Sequence, residues 1–199
     1  MLRPISTTLK GVVNFTWPMI LISVVIIISL RITDLIKNKK HFVLYKELLA
    51  LSFIIYILCL FQVVTFQDTV NWSSNNFVPF REILRYHLGS RLFFKNVLGN
   101  MLLFLPFGFF VSYYLEIKKP YIPLFLTMIA SCSIECVQMA IGRVFDIDDI
   151  ILNICGGLIG YVMYDLLAKI GNSVPRVFRT EWFLNGLSIL LLIGCLTLI

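Results

Sequence analysis

Seven polar side chains stand close together in the stretch 135–153, within a sequence that is otherwise strongly apolar. They are Glu135, Gln138, Arg143, Asp146, Asp148, Asp149 and Asn153. Spacings of three and four residues place Glu135 with Gln138, and Asp149 with Asn153, on one face of a helix. Carboxylates act as general acids and bases or hold Mg²⁺ or Ca²⁺, and Arg binds phosphate through two parallel hydrogen bonds. Ionisable groups at a membrane boundary are costly to desolvate, so the stretch predicts a functional site.

The roles of these residues follow from their chemistry. We predict that two carboxylates are catalytic, Glu135 and Asp149. We predict that amides, one arginine and one carboxylate bind the substrate: Asn96, Asn100, Gln138, Arg143, Asp146 and Asn153. A divalent cation is the one cofactor that such carboxylates would suit, although no recognised metal-ligand spacing is present.

Two residues of the stretch have specific structural predictions. Glu135 lies inside an apolar run, where it must be neutral, paired or in contact with water. Its predicted partners are Arg143, Asn100 and Asn153. Asp148 stands where a helix begins, and capping of free backbone N–H groups accounts for it more simply than chemistry does.

The elements that must hold this site are membrane helices. The chain has 199 residues, of which 59% are hydrophobic, and a mean hydropathy of +0.90. These values exclude an ordinary soluble domain. Runs of about 18 to 20 apolar residues can cross a bilayer. We predict an all-α integral membrane protein, a bundle of about six transmembrane helices over residues 12–30, 48–66, 96–115, 122–141, 150–170 and 183–199.

A short amphipathic helix is predicted just before the third span. Pro79 stands at its start, and Gly89 is a point at which it can break. Apolar residues recur every three or four positions while basic residues take the other side, which is typical of a helix in the membrane interface. Arg81 or Arg85 then either contacts a lipid phosphate or extends to the surface as an ordinary basic side chain.

The net charge of +6 reflects the membrane topology of the chain rather than nucleic-acid binding, because the 17 basic residues are scattered among the loops. Alternate loops hold ten of them: Arg31, Lys37, Lys39, Lys40, Lys46, Lys118, Lys119, Lys169, Arg176 and Arg179. The remaining seven lie on the other side, so the positive-inside rule places the larger group in the cytoplasm. We therefore expect a multi-pass protein of the cell membrane with its polar cluster on the extracytoplasmic side.

Several dispersed motifs resemble the VanZ-like family. They are Asn96-x-x-Gly99-Asn100, Phe104-x-Pro106-x-Gly108, Glu135-x-x-Gln138, the set Arg143, Asp146, Asp149 and Asn153, Gly157 with Gly160, and Asn76-Phe77-Val78-Pro79-Phe80. The resemblance covers residues 48–170 and implies a bacterial membrane protein. The family is named for a founding member associated with resistance to teicoplanin, a glycopeptide that binds cell-wall precursors. It implies no settled reaction.

Three parts and three classes of function follow as expectations. Residues 1–47 form an N-terminal transmembrane helix and a basic cytoplasmic loop, 48–170 the VanZ-like domain, and 171–199 a basic loop and a C-terminal transmembrane helix. The preferred function is an outward-facing site that binds or acts on a lipid-linked or cell-envelope substrate. The expected partners are membrane lipids with a lipid-linked cell-wall precursor or a glycopeptide. Two alternatives stay open: proton or solute transport through Glu135, and a scaffold in which Glu135 and Arg143 form an ion pair.

Overall fold

The computed structural model describes residues 5–39, 41–66, 75–87, 89–170 and 180–197. Its helices are α1 Ile5–Lys37, α2 Leu44–Phe66, α3 Arg81–Arg85, α4 Arg91–Phe93, a π-helical segment Phe94–Leu98, α5 Gly99–Tyr114, α6 Tyr121–Ala140, α7 Ile147–Ile170 and α8 Glu181–Thr197. The described part of the chain contains no β-strand, so the predicted all-α class is confirmed. Four basic residues of the topology prediction lie outside the described residues: Arg3, Lys40, Arg176 and Arg179.

Within the described residues, four helices are long and apolar enough to cross a membrane, in agreement with four of the predicted spans. They are Leu44–Gln62, Arg91–Tyr114, Tyr121–Ala140 and Ile147–Ile170. The second of these joins α4, the π-helical segment and α5 into one helix of 24 residues. The predicted first span lies within α1, and the predicted last span begins within α8, whose apolar part Glu181–Gly194 is shorter.

The chain divides into two compact units, which are described separately. One unit contains α1, α2 and α8, and in it α2 packs against both of the other helices. The end of α1 is tied to the start of α2 because the guanidinium of Arg31 donates to both carboxylate oxygens of Glu47, at 2.8 and 2.9 Å. The second unit, residues 68–173, contains the predicted site.

Within this second unit, α5 and α7 pack so closely that their backbones touch. A Cβ atom built at Gly156 would lie 2.1 Å from the carbonyl oxygen of Met101, and one at Gly160 would lie 2.1 Å from that of Leu105. Small residues permit such an approach between membrane helices. The G-x-x-x-G spacing of Gly156 and Gly160, which is typical of close contacts between membrane helices, therefore agrees with the structure.

Helix α6 buries its polar residues and exposes its apolar ones. Its buried side chains, spaced four or three residues apart, are Pro123, Thr127, Ser131, Glu135 and Gln138. Large apolar side chains such as Phe125 and Ile129 are exposed on the same helix. A helix surrounded by lipid gains nothing by burying apolar groups, so polar residues take the protected face.

The segment before the third span differs from the single amphipathic helix that was predicted. Helix α3 has only five residues and begins after Pro79, which lies in the preceding turn. Gly89 has a φ of +87°, and the next helix begins at Arg91. The sequence indicated a break at Gly89, but the helix already ends at Arg85, where Tyr86 is extended with φ −88° and ψ 126°.

Candidate functional site

The carboxyl end of α6 sets the direction of Arg143. Gly142 has a φ of +80°, the left-handed conformation that glycine adopts at no steric cost. Its N–H donates to the carbonyl of Met139 at 3.1 Å, and the N–H of Arg143 donates to that of Gln138 at 2.9 Å. These two bonds form a Schellman motif, which ends the helix and satisfies two of its last carbonyls. The chain therefore turns back over the helix at Arg143.

Glu135 lies one and a half turns inside α6 and is 1% exposed. One of its carboxylate oxygens, Oε2, accepts a hydrogen bond from the backbone N–H of Asp146 at 3.0 Å. The hydrogen-bonding network orients the Gln138 amide so that its nitrogen donates to Glu135 Oε1 at 2.9 Å and its oxygen accepts from Arg143 Nη1 at 3.0 Å. A buried carboxylate thus positions a guanidinium through one intervening amide.

Asp149 stands on the first turn of α7 and is only partly buried. Its Oδ1 accepts a hydrogen bond from the side-chain amide of Asn100 on α5. The charges of Glu135 and Arg143 both act on Asp149. The hairpin therefore brings two carboxylates and one guanidinium together, on two helices and the loop that joins them.

Asp146 joins α7 to the segment that precedes the third span. Its Oδ1 accepts from the backbone N–H of Asp148 at 2.9 Å, as an N-cap residue does, and from the Asn76 side-chain amide at 2.8 Å. Asn76 also forms a parallel bridge, in which its N–H donates to Phe145 at 2.8 Å and its carbonyl accepts from Ile147 at 3.0 Å. Desolvation by burial raises the pKa of Asp146 above its ordinary value.

Asp148 has a capping role, as predicted, but the helix that it caps is α3 rather than its own. Its two carboxylate oxygens accept hydrogen bonds from the backbone N–H groups of Phe80, Glu82 and Ile83. Asp148 is 1% exposed, and three N–H donors together with the positive end of a helix dipole stabilise its charge there. Asp148 therefore serves structure, which leaves Glu135 and Asp149 as the carboxylates available for chemistry.

Arg143 is the guanidinium that faces these two carboxylates. Desolvation by burial lowers its pKa, while the charges of Glu135 and Asp149 oppose that effect. Arginine remains protonated at neutral pH even so. The two carboxylates therefore stabilise its charge in this partly buried position.

The remaining predicted residues lie beside this group rather than in it. Asn153, one turn deeper on α7, donates from Nδ2 to Ser131 Oγ at 2.9 Å. Asn96, in the π-helical segment, donates to the hydroxyl of Tyr86 at 2.7 Å. The prediction that Asn100 and Asn153 bond directly to Glu135 is therefore wrong, because their hydrogen bonds go to Asp149 and Ser131. Within the described ranges, no group of three or more His, Cys, Asp or Glu side chains is arranged to hold a metal ion.

Comparison with known proteins gives one result. The family model described as VanZ/LLP1 matches residues 53–168, more than half of the chain. The chain belongs to this family. No curated protein and no solved structure matches the chain. The matched residues include α5, α6 and all but the last two residues of α7, so the polar cluster belongs to the VanZ/LLP1 domain.

Sequence reasoning missed two residues that help to build the cluster in this VanZ/LLP1 domain. Ser131 lies four residues before Glu135 in an apolar helix, and that spacing alone would have placed it on the same face. Asn76 was noted only as part of a motif, and its bridge to Asp146 spans 70 residues of sequence. No local pattern indicates a contact at that separation.

Proposed function

We propose that the VanZ/LLP1 domain binds the oxygen-rich, phosphate-bearing head group of a cell-envelope or lipid-linked substrate at the α6–α7 hairpin. The observation that carries this proposal is the chain of hydrogen bonds from buried Glu135 through Gln138 to Arg143. Because the guanidinium is already oriented, less side-chain entropy is lost when a ligand binds. Phosphate is the anion that a guanidinium binds best, through two parallel hydrogen bonds.

Asp149 supplies the second half of the proposed chemistry. Asn100 holds one of its oxygens, and the other has no hydrogen-bond partner among the described residues. A carboxylate fixed in this way can accept a proton from a hydroxyl or a water molecule, as a general base does. Glu135 would keep Arg143 in place during that step.

The proposed setting is the cell membrane of a bacterium, with the hairpin on the extracytoplasmic side. The distribution of basic residues in the loops supports this orientation. The substrate would then be a lipid-linked cell-wall precursor, and an altered response to glycopeptides such as teicoplanin would follow from its binding. Membrane lipids are the surrounding partners.

A scaffold is the second candidate, and specific observations favour it. Asp146 and Asp148 both use their carboxylates to tie α3 and the Asn76 loop to α7. Transport has less support. Helices α5 and α7 are in close contact at the level of Gly157, because a Cβ at Gly108 would lie 1.9 Å from the Gly157 carbonyl oxygen. Packing of this kind leaves no space for a solute between α5 and α7 at that level.

The test is mass spectrometry of the lipids that copurify with the full chain. We expect a phosphorylated lipid that is retained by the wild type and lost in Arg143→Ala. Lys118→Ala is the matched control, because it removes one exposed basic residue at the opposite end of α6. A lipid profile that is the same in Arg143→Ala and in the wild type would contradict the proposed site and leave the scaffold as the better reading.

A further inference from the structure

The segment 77–95, which is described except at residue 88, exposes large apolar side chains, although Phe77 also stacks on Phe145. Leu84 is 82% exposed and Phe80 is 53% exposed, although both belong to the short stretch around α3. The others are Phe77, Val78, Leu92 and Phe94. Soluble surfaces rarely carry so many large apolar groups together, and their presence indicates contact with a membrane or a partner.

Basic side chains accompany these apolar groups. Between residues 80 and 95 the chain has four basic residues and a single acidic one, Glu82. Glu82 pairs with Arg85 at 3.3 Å, and no described carboxylate lies within ion-pair distance of Arg81 or Arg91. The surface is therefore positive as well as apolar, which complements the phosphates and acyl chains of anionic lipid.

The position of the segment selects the membrane as the occupant of this surface. The membrane-spanning helix Arg91–Tyr114 begins inside it, so the residues just before Arg91 lie at the boundary of the bilayer. The backbone at Phe80 is also held in a fixed conformation. Its φ of +66° is rare for a bulky residue, and the carboxylate of Asp148 holds that conformation by accepting the Phe80 N–H.

We propose that residues 77–95 form a docking surface for anionic phospholipid, with the exposed apolar side chains among the upper acyl chains and Arg81, Arg91 and Lys95 on the phosphates. Amphipathic segments bind membranes through this combination of buried apolar area and basic charge. The proposal needs no reaction at the hairpin and stands apart from the proposed function.

The surface is also rigidly connected to the candidate site. Asp148 holds α3, and the next residue in the chain is Asp149. A phospholipid on this surface would lie beside the first turn of α7. An amphiphilic substrate could then reach the hairpin from within the lipid leaflet, a consequence that does rest on the proposed function.

The test measures lipid preference directly. The full chain in detergent is titrated with phosphatidylglycerol or phosphatidylcholine, and bound lipid is counted by native mass spectrometry. We expect the wild type to prefer phosphatidylglycerol and Arg81→Gln/Arg91→Gln to lose that preference by about fivefold for each arginine, since one basic residue near an anionic surface contributes about 1 kcal/mol. Lys118→Gln/Lys119→Gln removes the same charge from the opposite end of the bundle and should keep the preference. Equal preference in all three proteins, or equal loss in both double variants, would overturn the proposal.

A second measurement examines the apolar half of the surface. Benzoyl-phenylalanine introduced in place of Leu84 should cross-link to phospholipid when the protein is irradiated in vesicles of phosphatidylglycerol and phosphatidylcholine. Cross-linking to another protein chain alone would show that the surface is a protein interface, and the lipid proposal would then be wrong. Absence of any cross-link would place Leu84 in water and would also overturn it.

Discussion

Helix α7 contacts its neighbours in two different ways, through backbone atoms and through polar side chains. Toward α5 it presents Gly156 and Gly160, which contribute no side chain, so the contact is made by backbone atoms. Its other contacts are made by polar side chains: Asp149 accepts a hydrogen bond from Asn100 of α5, and Asn153 donates one to Ser131 of α6. One face fixes the distance between helices, and the other carries groups that can do chemistry. The geometry of the polar side chains therefore depends on the contact that the glycines make.

The polar face is not arranged for stability alone. Two buried atoms at the contact between α6 and α7, Asn153 Oδ1 and Thr127 Oγ1, have no hydrogen-bond partner among the described residues. A buried polar atom without a partner costs about 1–3 kcal/mol. Apolar side chains of similar volume would avoid that cost, as they often do when they replace buried polar groups. These two buried atoms therefore favour a functional role of the hairpin over a purely structural one.

The largest effect is expected from a side chain on the glycine face. In Gly156→Ala the new Cβ would lie 2.1 Å from the carbonyl oxygen of Met101, a backbone atom that can move only if the helix moves. We expect a loss of at least about 3 kcal/mol of folding free energy. The measurement is thermal unfolding of the purified protein together with its abundance in membranes.

Gly186→Ala in α8 is the control for that experiment. Among the described residues, no atom outside the neighbouring backbone of α8 lies within 4 Å of a Cβ built there. Alanine is the better helix former by about 1 kcal/mol, so this variant should be as stable as the wild type or more stable. If the two glycine variants proved equally stable, the backbone contact between α5 and α7 would not be what fixes the distance between these helices.

A smaller structural effect, but a complete functional one, is expected from Glu135→Gln on the polar face. The new amide can still accept from the Asp146 N–H, but its nitrogen then faces Gln138. Gln138 must turn its own oxygen toward position 135, and its nitrogen then faces the donor Arg143. We expect normal abundance and a loss of activity of about 10²-fold, because Arg143 would be displaced and a small misplacement of a substrate-positioning group can cost that much.

The readout is membrane abundance by immunoblot beside the phenotype that deletion produces, with glycopeptide susceptibility measured first. Glu116→Gln, an exposed carboxylate before the start of α6, is the control and should behave as the wild type. If Glu135 only pairs with Arg143, adding Arg143→Ala should restore the phenotype, because the double change leaves no uncompensated charge. We expect no restoration, and recovery in the double variant would favour the scaffold.

The sequence predicted the helices well because hydropathy is a local property. A run of about 20 apolar residues must cross the bilayer as a helix, whatever its neighbours are. The cluster of Glu135, Gln138 and Asp149 was also predictable, since a short connection brings the two helix ends together. Gly156 with Gly160 indicated a close contact through spacing alone.

The partners of individual side chains could not be predicted in the same way. Asp148 caps a helix 65 to 68 residues away, and the sequence offered its own helix as the obvious choice. Asn100 was assigned to Glu135 but bonds to Asp149. The rotation of each helix about its axis decides such pairs, and that rotation depends on packing against neighbours that the sequence does not specify.

The smallest effects on stability should come from two hydroxyl groups of α6, those of Ser131 and Thr127. We expect a loss of stability when the first is removed, and little change or a gain when the second is removed. Ser131 Oγ accepts from Asn153 Nδ2, so Ser131→Ala leaves a buried amide without an acceptor and should cost about 1–3 kcal/mol. Thr127 Oγ1 has no described partner, so Thr127→Val, which is nearly the same shape, should change stability by less than about 1 kcal/mol or increase it. Chemical unfolding of the two variants in the same detergent gives the comparison. A larger loss of stability in Thr127→Val than in Ser131→Ala would mean that the Thr127 hydroxyl is hydrogen-bonded in the folded protein. The polar side chains of α6 would then have more hydrogen bonds than the geometry indicates.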